Sequence, residues 1–325
     1  MNRIFLLLVL LLAVVGNAPG ITTEQGVRHG VIVKLTEVLR HSYVDQQVGR
    51  RMADAVLVHE RRGDYNGIPD ADFAALLTRQ LRELSGDQHL EVIYSLMVLP
   101  PQPRADSSPA EDARYREQMV GSNCTIERVE LLPHLTGYLK MNSFPDVSVC
   151  GKAASNAMAK MNDARAIIFD LRDNRGGFPN MVSMIAGYLF SRPQFLYNPR
   201  ENTSARSFTH SPVLGNKLAD KPTYVLTSRR TISAAEQFAY NLKMLKRATI
   251  VGEITAGQAH AGVFHRIDDH FGIGVTEVRP HNPFSSHDWE GTGVRPDVNV
   301  PATEALAKAE QLVEKRLEKP KTQVN

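Results

Sequence analysis

The chain has 325 residues, of which 42% are hydrophobic and 22% are charged, and this composition is ordinary for a globular protein. Its formal charge of +3 is small for this length, and no basic cluster is interleaved with aromatic residues. Both features argue against a nucleic-acid-binding protein. A chain of this length buries either one large core or two smaller ones.

The first twenty residues have the form of a secretory signal peptide. Arg3 gives a positive start, residues 4–15 are an unbroken apolar run, and residues 16–20 form a short exit of mostly small residues. Because the run is too short to span a bilayer comfortably, we expect cleavage after Gly20 and no transmembrane segment thereafter. An uncleaved membrane anchor is the alternative. The prediction is an exported protein, periplasmic or extracellular.

Two cysteines, Cys124 and Cys150, lie in the part of the chain predicted to be exported. In an oxidising compartment they can pair and close a loop of about 26 residues. Two buried thiols are the alternative, because a sequence does not show whether the geometry of a disulfide is met.

Apolar residues at helical spacing predict three helices between residues 25 and 86, followed by a strand within residues 90–99. Residues 100–117 are polar, acidic and contain several prolines, which predicts a surface loop or linker. We therefore expect an N-terminal helical domain over residues 21–95 and a linker over residues 96–125.

From Ile126 onward, predicted strands alternate with predicted helices, which is the pattern of an α/β domain. The predicted strands cover residues 126–131, 135–141, 166–171, 223–227, 249–251 and 272–278. The predicted helices cover residues 151–162, 179–191, 233–246 and 303–317. We expect this domain to extend over residues 126–317 and residues 318–325 to form a frayed tail.

Ser233 stands where an apolar strand, residues 222–227, gives way to a helix. Backbone N–H groups and the positive end of the helix dipole converge at such a point, which favours a nucleophile whose reaction develops an oxyanion. Ser233 and Glu236 also fit the S-x-x-E capping box, which requires no chemistry.

A second turn follows the buried strand 166–171 and contains the paired glycines Gly176 and Gly177. Glycines allow a tight turn that presents backbone N–H groups to a ligand. The segment is neither a dinucleotide fingerprint nor a Walker loop. The structural alternative is a plain turn with a local ion pair between Asp170 and Arg172.

These segments and several others resemble those of a known serine peptidase family. It joins the C-terminal-processing (tail-specific) proteases, the tricorn core and the modules of interphotoreceptor retinoid-binding protein. The similar segments, in the family's order, are 85–90 (SGDQHL), 137–140 (GYLK) with Phe144, 170–177 (DLRDNRGG), 226–228 (LTS) with 233–236 (SAAE), 252–257 (GEITAG) and 289–297 (WEGTGVRPD). The retinoid-binding-protein-like branch is the most similar, because the N-terminal segment is helical. About 35 residues between His89 and Ile126 also leave no room for the PDZ domain of tail-specific proteases.

The resemblance implies a Clp-protease/crotonase-like spiral core preceded by the helical domain, with the site in the cleft between them. It makes Ser233 the nucleophile. The tail-specific branch takes its base from a lysine, but Gln258 stands at that position here, and glutamine accepts no proton at neutral pH. The tricorn-like branch uses a histidine and an acid, which His89 and Glu290 match.

The same resemblance assigns the oxyanion hole to the backbone N–H groups of Gly176 and Ala234, with Gly177 as the alternative to Gly176. The implied reaction is hydrolysis of a peptide or protein substrate through an acyl-enzyme, without cofactor or metal. Tricorn has a serine before its histidine, where this chain has Gln88.

Two other interpretations stay open. A histidine-rich stretch offers ligands for zinc, although no H-E-x-x-H motif occurs and the spacings place no pair on one helical face. Its members are His260, His265, His270, His281 and His287, with Asp268, Asp269 and Asp288. Within that stretch, His260 is the replacement base if His89 does not serve. The second interpretation is a non-catalytic exported carrier of an apolar ligand on the same fold.

Overall fold

The computed structural model describes residues 23–99, 109–197, 207–210, 213–279 and 288–318. The expected signal peptide over residues 1–20, the candidate ligands His281 and His287, and the tail from residue 319 lie outside these ranges. None of the described helices is both long and apolar enough to cross a membrane.

The described chain forms helices and strands in the following order. They are α1 (Thr23–Ser42), α2 (Gln46–Arg61), α3 (Asp70–Ser85), β1 (Glu91–Tyr94), α4 (Pro109–Gly121), β2 (Ile126–Leu132), β3 (Thr136–Met141), α5 (Val147–Ala159), β4 (Ala166–Asp170), α6 (Pro179–Gly187), β5 (Phe195–Tyr197), β6 (Ser207–Phe208), β7 (Thr223–Thr227), α7 (Ala234–Met244), β8 (Thr249–Gly252), β9 (Ala261–Arg266), β10 (Phe271–Val278), β11 (Val298–Asn299) and α8 (Ala305–Glu318).

The main sheet has six strands in the order β11-β8-β7-β4-β3-β2, with only the β2–β3 pair antiparallel. Alternate residues of its strands face opposite layers, so that Phe169 packs with α5, α6 and α7 while Ile168 packs with α8. Strands buried on both faces are typical of a parallel sheet covered by helices. The predicted α/β core is therefore confirmed.

The three N-terminal helices are present, but they do not form a purely helical unit. They pack on a three-stranded antiparallel sheet in the order β1-β10-β9, and their core includes Phe271, Ile273 and Val275 from β10. The strand predicted over residues 272–278 thus belongs to this smaller sheet rather than to the main one. Strand β9 escaped prediction because its residues are exposed or half-buried and lack an alternating apolar pattern.

The predicted linker over residues 96–125 requires a correction, because it contains helix α4. Pro109 occupies the first helical position, and Glu111 and Asp112 lie in the first turn, where their charges suit the helix dipole. Only Met119 of this helix is buried. The apolar periodicity that would have predicted a helix is therefore absent.

The two cysteines form a disulfide bond, the pairing that the sequence left open. Cys124 precedes β2 and Cys150 lies in α5, and both side chains belong to the core between the main sheet and its helices. The bond ties the start of the α/β core to its first helix.

Candidate active site

Two turns meet at the carboxyl edge of the main sheet. Strands β4 and β7 are parallel neighbours, so the turn after Asp170 and the turn after Thr227 emerge side by side. Two hydrogen bonds join them, a buried one from Thr231 Oγ1 to the Leu171 carbonyl (2.8 Å) and a partly buried one from Ser228 Oγ to the Arg172 carbonyl (2.5 Å). The carboxyl edge of such a sheet is the usual place for a ligand site.

The contact between these turns brings Gly176 against Ser233. A Cβ atom added to Gly176 would lie 2.8 Å from Ser233 Cβ and 3.0 Å from the Ala234 nitrogen, so only glycine fits at this position. Arg172 also binds Asp170 through Nη2 (2.6 Å), which is the ion pair expected from the structural interpretation of this turn. The turn therefore contains both the ion pair and the close approach to the serine.

Ser233 has an unusual backbone conformation, with φ 56° and ψ −121°. Non-glycine residues at positive φ are uncommon, and such conformations cost on the order of 1–3 kcal/mol and cluster at functional sites. A sharp strand-to-helix turn exposes the hydroxyl of the nucleophilic serine in α/β-hydrolases. Ser233 is half-buried at the start of α7.

The expected capping box of Ser233 and Glu236 is present at the start of α7. The Ser233 N–H donates to Glu236 Oε2 at 2.8 Å, so the glutamate satisfies the backbone of the serine from within α7. Glu236 is fully buried, and this burial raises the pKa of its carboxyl, although several hydrogen bonds act in the opposite direction.

His89 lies four residues after the end of α3, in a turn built around Asp87. Asp87 Oδ1 accepts the His89 N–H at 2.8 Å and lies 3.1 Å from His89 Nδ1. Glu290 Oε1 lies 3.7 Å from the same ring nitrogen. The hydrogen bond to Asp87 raises the pKa of His89, although burial acts in the opposite direction, and the nearby charge of Glu290 raises it further.

Asp87 was not among the predicted site residues. Its buried carboxylate accepts hydrogen bonds from Thr276 Oγ1 (2.6 Å) and from the Tyr43 hydroxyl (3.2 Å). Burial alone would raise the pKa of Asp87, but the hydrogen bonds from His89 and Thr276 outweigh it and lower the pKa to about 2. An aspartate two residues before a histidine is a turn signal in the sequence. Only the structure shows that its carboxylate contacts the ring of His89.

Glu290 lies between the two histidines proposed as bases. Its Oε2 accepts the N–H groups of Ala259 (2.7 Å) and His260 (3.0 Å) and lies 3.8 Å from His260 Nδ1. His260 Nε2 in turn lies 3.3 Å from Asp288 Oδ2. The structure thus brings His89, His260 and Glu290 into one cluster.

The two glycines predicted as alternatives for the oxyanion hole differ in the hydrogen bonding of their N–H groups. The Gly176 N–H is buried and donates to Asn174 Oδ1 at 2.9 Å, so it is not free for a ligand. The Phe144 N–H donates to the Gly176 carbonyl, and the Phe144 carbonyl accepts a hydrogen bond from the Phe178 N–H. Gly177 lies between these two residues and opposite Phe144, so the N–H of the exposed Gly177 points away from Phe144. Within the described ranges, neither Gly177 nor Ala234 donates its N–H to another residue. The geometry therefore favours Gly177 over Gly176.

The described histidines of the histidine-rich stretch, His260, His265 and His270, each have a different partner. His265 binds Glu277 (2.5 Å) and His270 binds the Ser95 carbonyl (2.9 Å), each on the β9–β10 hairpin. Among the described residues, the group that places three potential metal ligands within 4.8 Å of one another is Asp87, His89 and Glu290. The three potential metal ligands are therefore the candidate base His89 and the two carboxylates that face its ring.

Residues 135–300, about half of the chain, match the model of peptidase family S41. The chain belongs to peptidase family S41. The matched segment of family S41 includes Ser233, both glycines and Glu290, whereas His89 lies before it.

Several relatives agree with membership of family S41. A carboxyl-terminal-processing protease of Synechocystis is 30% identical over 163 residues, which cover 50% of this chain and 37% of that protein. The chain therefore matches well under half of that relative's length. Among solved structures, a putative peptidase from Parabacteroides merdae has a TM-score of 0.62 at 18% identity, covering 88% of this chain and 96% of that chain. The photosystem II D1 C-terminal processing protease has a TM-score of 0.56 at 16% identity, covering 86% and 96%. At these identities the structural likeness shows a shared fold.

Proposed function

We propose that this chain is a serine peptidase that hydrolyses peptide bonds of a peptide or protein substrate through an acyl-enzyme. Two observations support the proposal: a serine in a strained strand-to-helix turn, and a histidine whose Nδ1 faces two carboxylates. Membership of family S41 supports it. Gln258 stands at the position of the lysine base of the tail-specific proteases. Its side chain is not a base, and its backbone N–H donates to Glu236.

The proposed mechanism follows from which atoms are engaged. Because Asp87 and Glu290 face Nδ1 of His89, its Nε2 is the nitrogen that takes the proton as Ser233 Oγ attacks the substrate carbonyl. The negative oxygen of the tetrahedral intermediate is bound by the N–H groups of Ala234 and Gly177. The imidazolium then gives its proton to the leaving amine, and water activated by the same nitrogen releases the acyl group from Ser233.

The charged surroundings of His89 suit this role. The carboxylates of Asp87 and Glu290 stabilise the imidazolium that forms during the reaction, and they hold the ring in one orientation. His260 is the alternative base, and it faces Glu290 from the other side.

Labelling with a fluorophosphonate probe, followed by mapping of the modified residue, tests the proposal. We expect the probe on Ser233, and we expect Ser233→Ala to abolish labelling and peptide hydrolysis together. Ser148→Ala, which changes an exposed serine of α5, is the matched control and should label normally. A folded wild-type protein that neither labels nor hydrolyses any peptide in a library would reject the peptidase.

In that outcome the carrier interpretation gains support. A cavity of about 680 Å³ lies between α3 and β1, but its lining includes the charged residues Arg79, Arg82, Glu83 and Glu91. Such a lining does not favour an apolar ligand.

We also propose that the protein is exported to the periplasm or the extracellular space. The signal-like character of residues 1–20 and the disulfide between Cys124 and Cys150 support this location, because disulfides persist in oxidising compartments. Cell fractionation with N-terminal sequencing of the mature protein tests it. A mature chain that starts at Met1 and remains in the cytosol would contradict it.

A further inference from the structure

Glu236 binds more than the turn of its own helix. Its Oε1 accepts Thr255 Oγ1 (2.5 Å) and the Gly257 N–H (2.6 Å), and its Oε2 accepts the Gln258 N–H (2.9 Å) as well as the Ser233 N–H. Four donors therefore converge on one fully buried carboxylate. No lysine, arginine or histidine of the described chain forms an ion pair with it. A helix cap requires only the bond to Ser233, so the other three donors need another explanation.

The explanation lies in the segment 257–260, whose consecutive N–H groups bind two different carboxylates. Gly257 and Gln258 donate to Glu236, and Ala259 and His260 donate to Glu290. Glu236 holds the backbone of the serine, and Glu290 faces the ring of His89. The segment is thus a short bridge between the two halves of the site.

We propose that Glu236 is a positioning residue that fixes Ser233 relative to Glu290 and His89 through the backbone of residues 257–260. This inference rests on the peptidase function proposed above. Displacement of reacting groups by about 1 Å can cost about a hundredfold in rate, so the bridge has a catalytic effect although Glu236 touches no substrate.

The charge of Glu236 gives the proposal a signature that a purely structural role lacks. Three carboxylates act on His89 from three elements: Asp87 from the turn after α3, Glu290 from the segment before β11, and Glu236 from α7. Each raises the pKa of His89, with the hydrogen bond to Asp87 the largest contribution. Removing the charge of Glu236 therefore lowers this pKa.

Glu236→Gln tests the proposal, because glutamine keeps the size of the side chain but offers one acceptor oxygen to four donors. We expect kcat to fall about a hundredfold with KM changed much less. We also expect the rising limb of the kcat/KM–pH profile to move to lower pH. Asp170→Asn is the control, because Asp170 is also a fully buried carboxylate but does not act on His89. It should lower thermal stability without moving the pH limb.

A second pair of variants applies if Glu236→Gln fails to fold. Thr255→Val removes one donor to Glu236, and Thr255→Ser retains the hydroxyl. We expect a severalfold loss of kcat in the valine variant and nearly full activity in the serine variant. If the wild type is active, two results would overturn the positioning role. One is a Glu236→Gln variant with the kcat and pH profile of the wild type, and the other is equal kcat in the two Thr255 variants. An inactive wild type would instead reject the peptidase itself.

Discussion

The serine side and the histidine side of the site are built in different ways. Ser233 and Gly177 lie on turns that directly follow β7 and β4, two adjacent strands of one sheet. His89 contacts Asp87, two residues before it, and Asp87 is held in turn by Thr276 of β10, while Glu290 approaches the ring from the segment before β11. The serine side is therefore a property of local sequence, whereas the histidine side exists only when several segments pack together.

This difference suggests that the two sides tolerate change differently. Substitutions on the serine side act on the nucleophile or its backbone directly. On the histidine side two carboxylates share one ring nitrogen, so the loss of either is partly covered by the other. Variants of the residues on each side of the site test this contrast.

Replacing His89 and His260 separately should show which of them is the base that takes the proton of Ser233. We expect His89→Ala to lower kcat/KM as severely as Ser233→Ala, by about 10⁴-fold or more, because members of a catalytic unit act together. His260→Ala should cost less than about tenfold, as it removes only a neighbour of Glu290. Steady-state kinetics on one peptide substrate decide the matter. An active His89→Ala protein that His260→Ala silences would transfer the base to His260.

Glu290→Gln should have an intermediate effect. The variant loses the negative charge near His89 Nδ1, but Asp87 still binds that nitrogen at 3.1 Å. We expect kcat to fall about a hundredfold, less than the roughly 10⁴-fold loss in an enzyme whose histidine has a single carboxylate partner. A loss as large as that of His89→Ala would show that Asp87 does not share the task.

Asp87→Asn should change the pH dependence more than the maximal rate. In the wild type, activity rises as the His89 imidazolium loses its proton, and Asp87 raises the pKa of this group. Without that carboxylate the pKa falls, so the rising limb of kcat/KM should move to lower pH. A pH–rate profile measured from about pH 5 to 9 checks the direction. A limb that stays in place would indicate that the ionising group is not His89.

Removing metals should have no effect on activity. Asp87, His89 and Glu290 lie within 4.8 Å of one another, but in the proposed mechanism His89 transfers protons and the two carboxylates stabilise its imidazolium form. We expect full activity after dialysis against a strong chelator, measured with the same peptide assay. Loss of activity that added zinc restores would replace the serine mechanism with a metal-dependent one.

The serine side was largely predictable from the sequence. An apolar strand followed by S-x-x-E and an apolar strand followed by paired glycines are local patterns, and both turns occur where expected. The choice between Gly176 and Gly177 was not predictable, since it depends on Asn174 accepting one particular N–H. Because every residue except proline has a backbone N–H, residue type does not show which N–H is free to bind a ligand.

The histidine side was only partly predictable. His89 and Glu290 were predicted through the family resemblance, but the contacts of Asp87 and Thr276 and the bridge over residues 257–260 follow from tertiary packing. The pairing of strands in the smaller sheet also depends on tertiary packing. Strand β10 has a clear apolar pattern, yet nothing in that pattern shows that its neighbour is β1 rather than a strand of the main sheet.

The place of β10 has a consequence for how the protein folds during synthesis. Helices α1–α3 leave the ribosome early, but their core lacks Phe271, Ile273 and Val275 until the chain has been extended past residue 278. Contacts between segments so far apart in the chain form slowly and leave apolar surface exposed in the meantime. The N-terminal helices should therefore depend on chaperones until β10 arrives, and a fragment that ends after β1 should aggregate rather than fold.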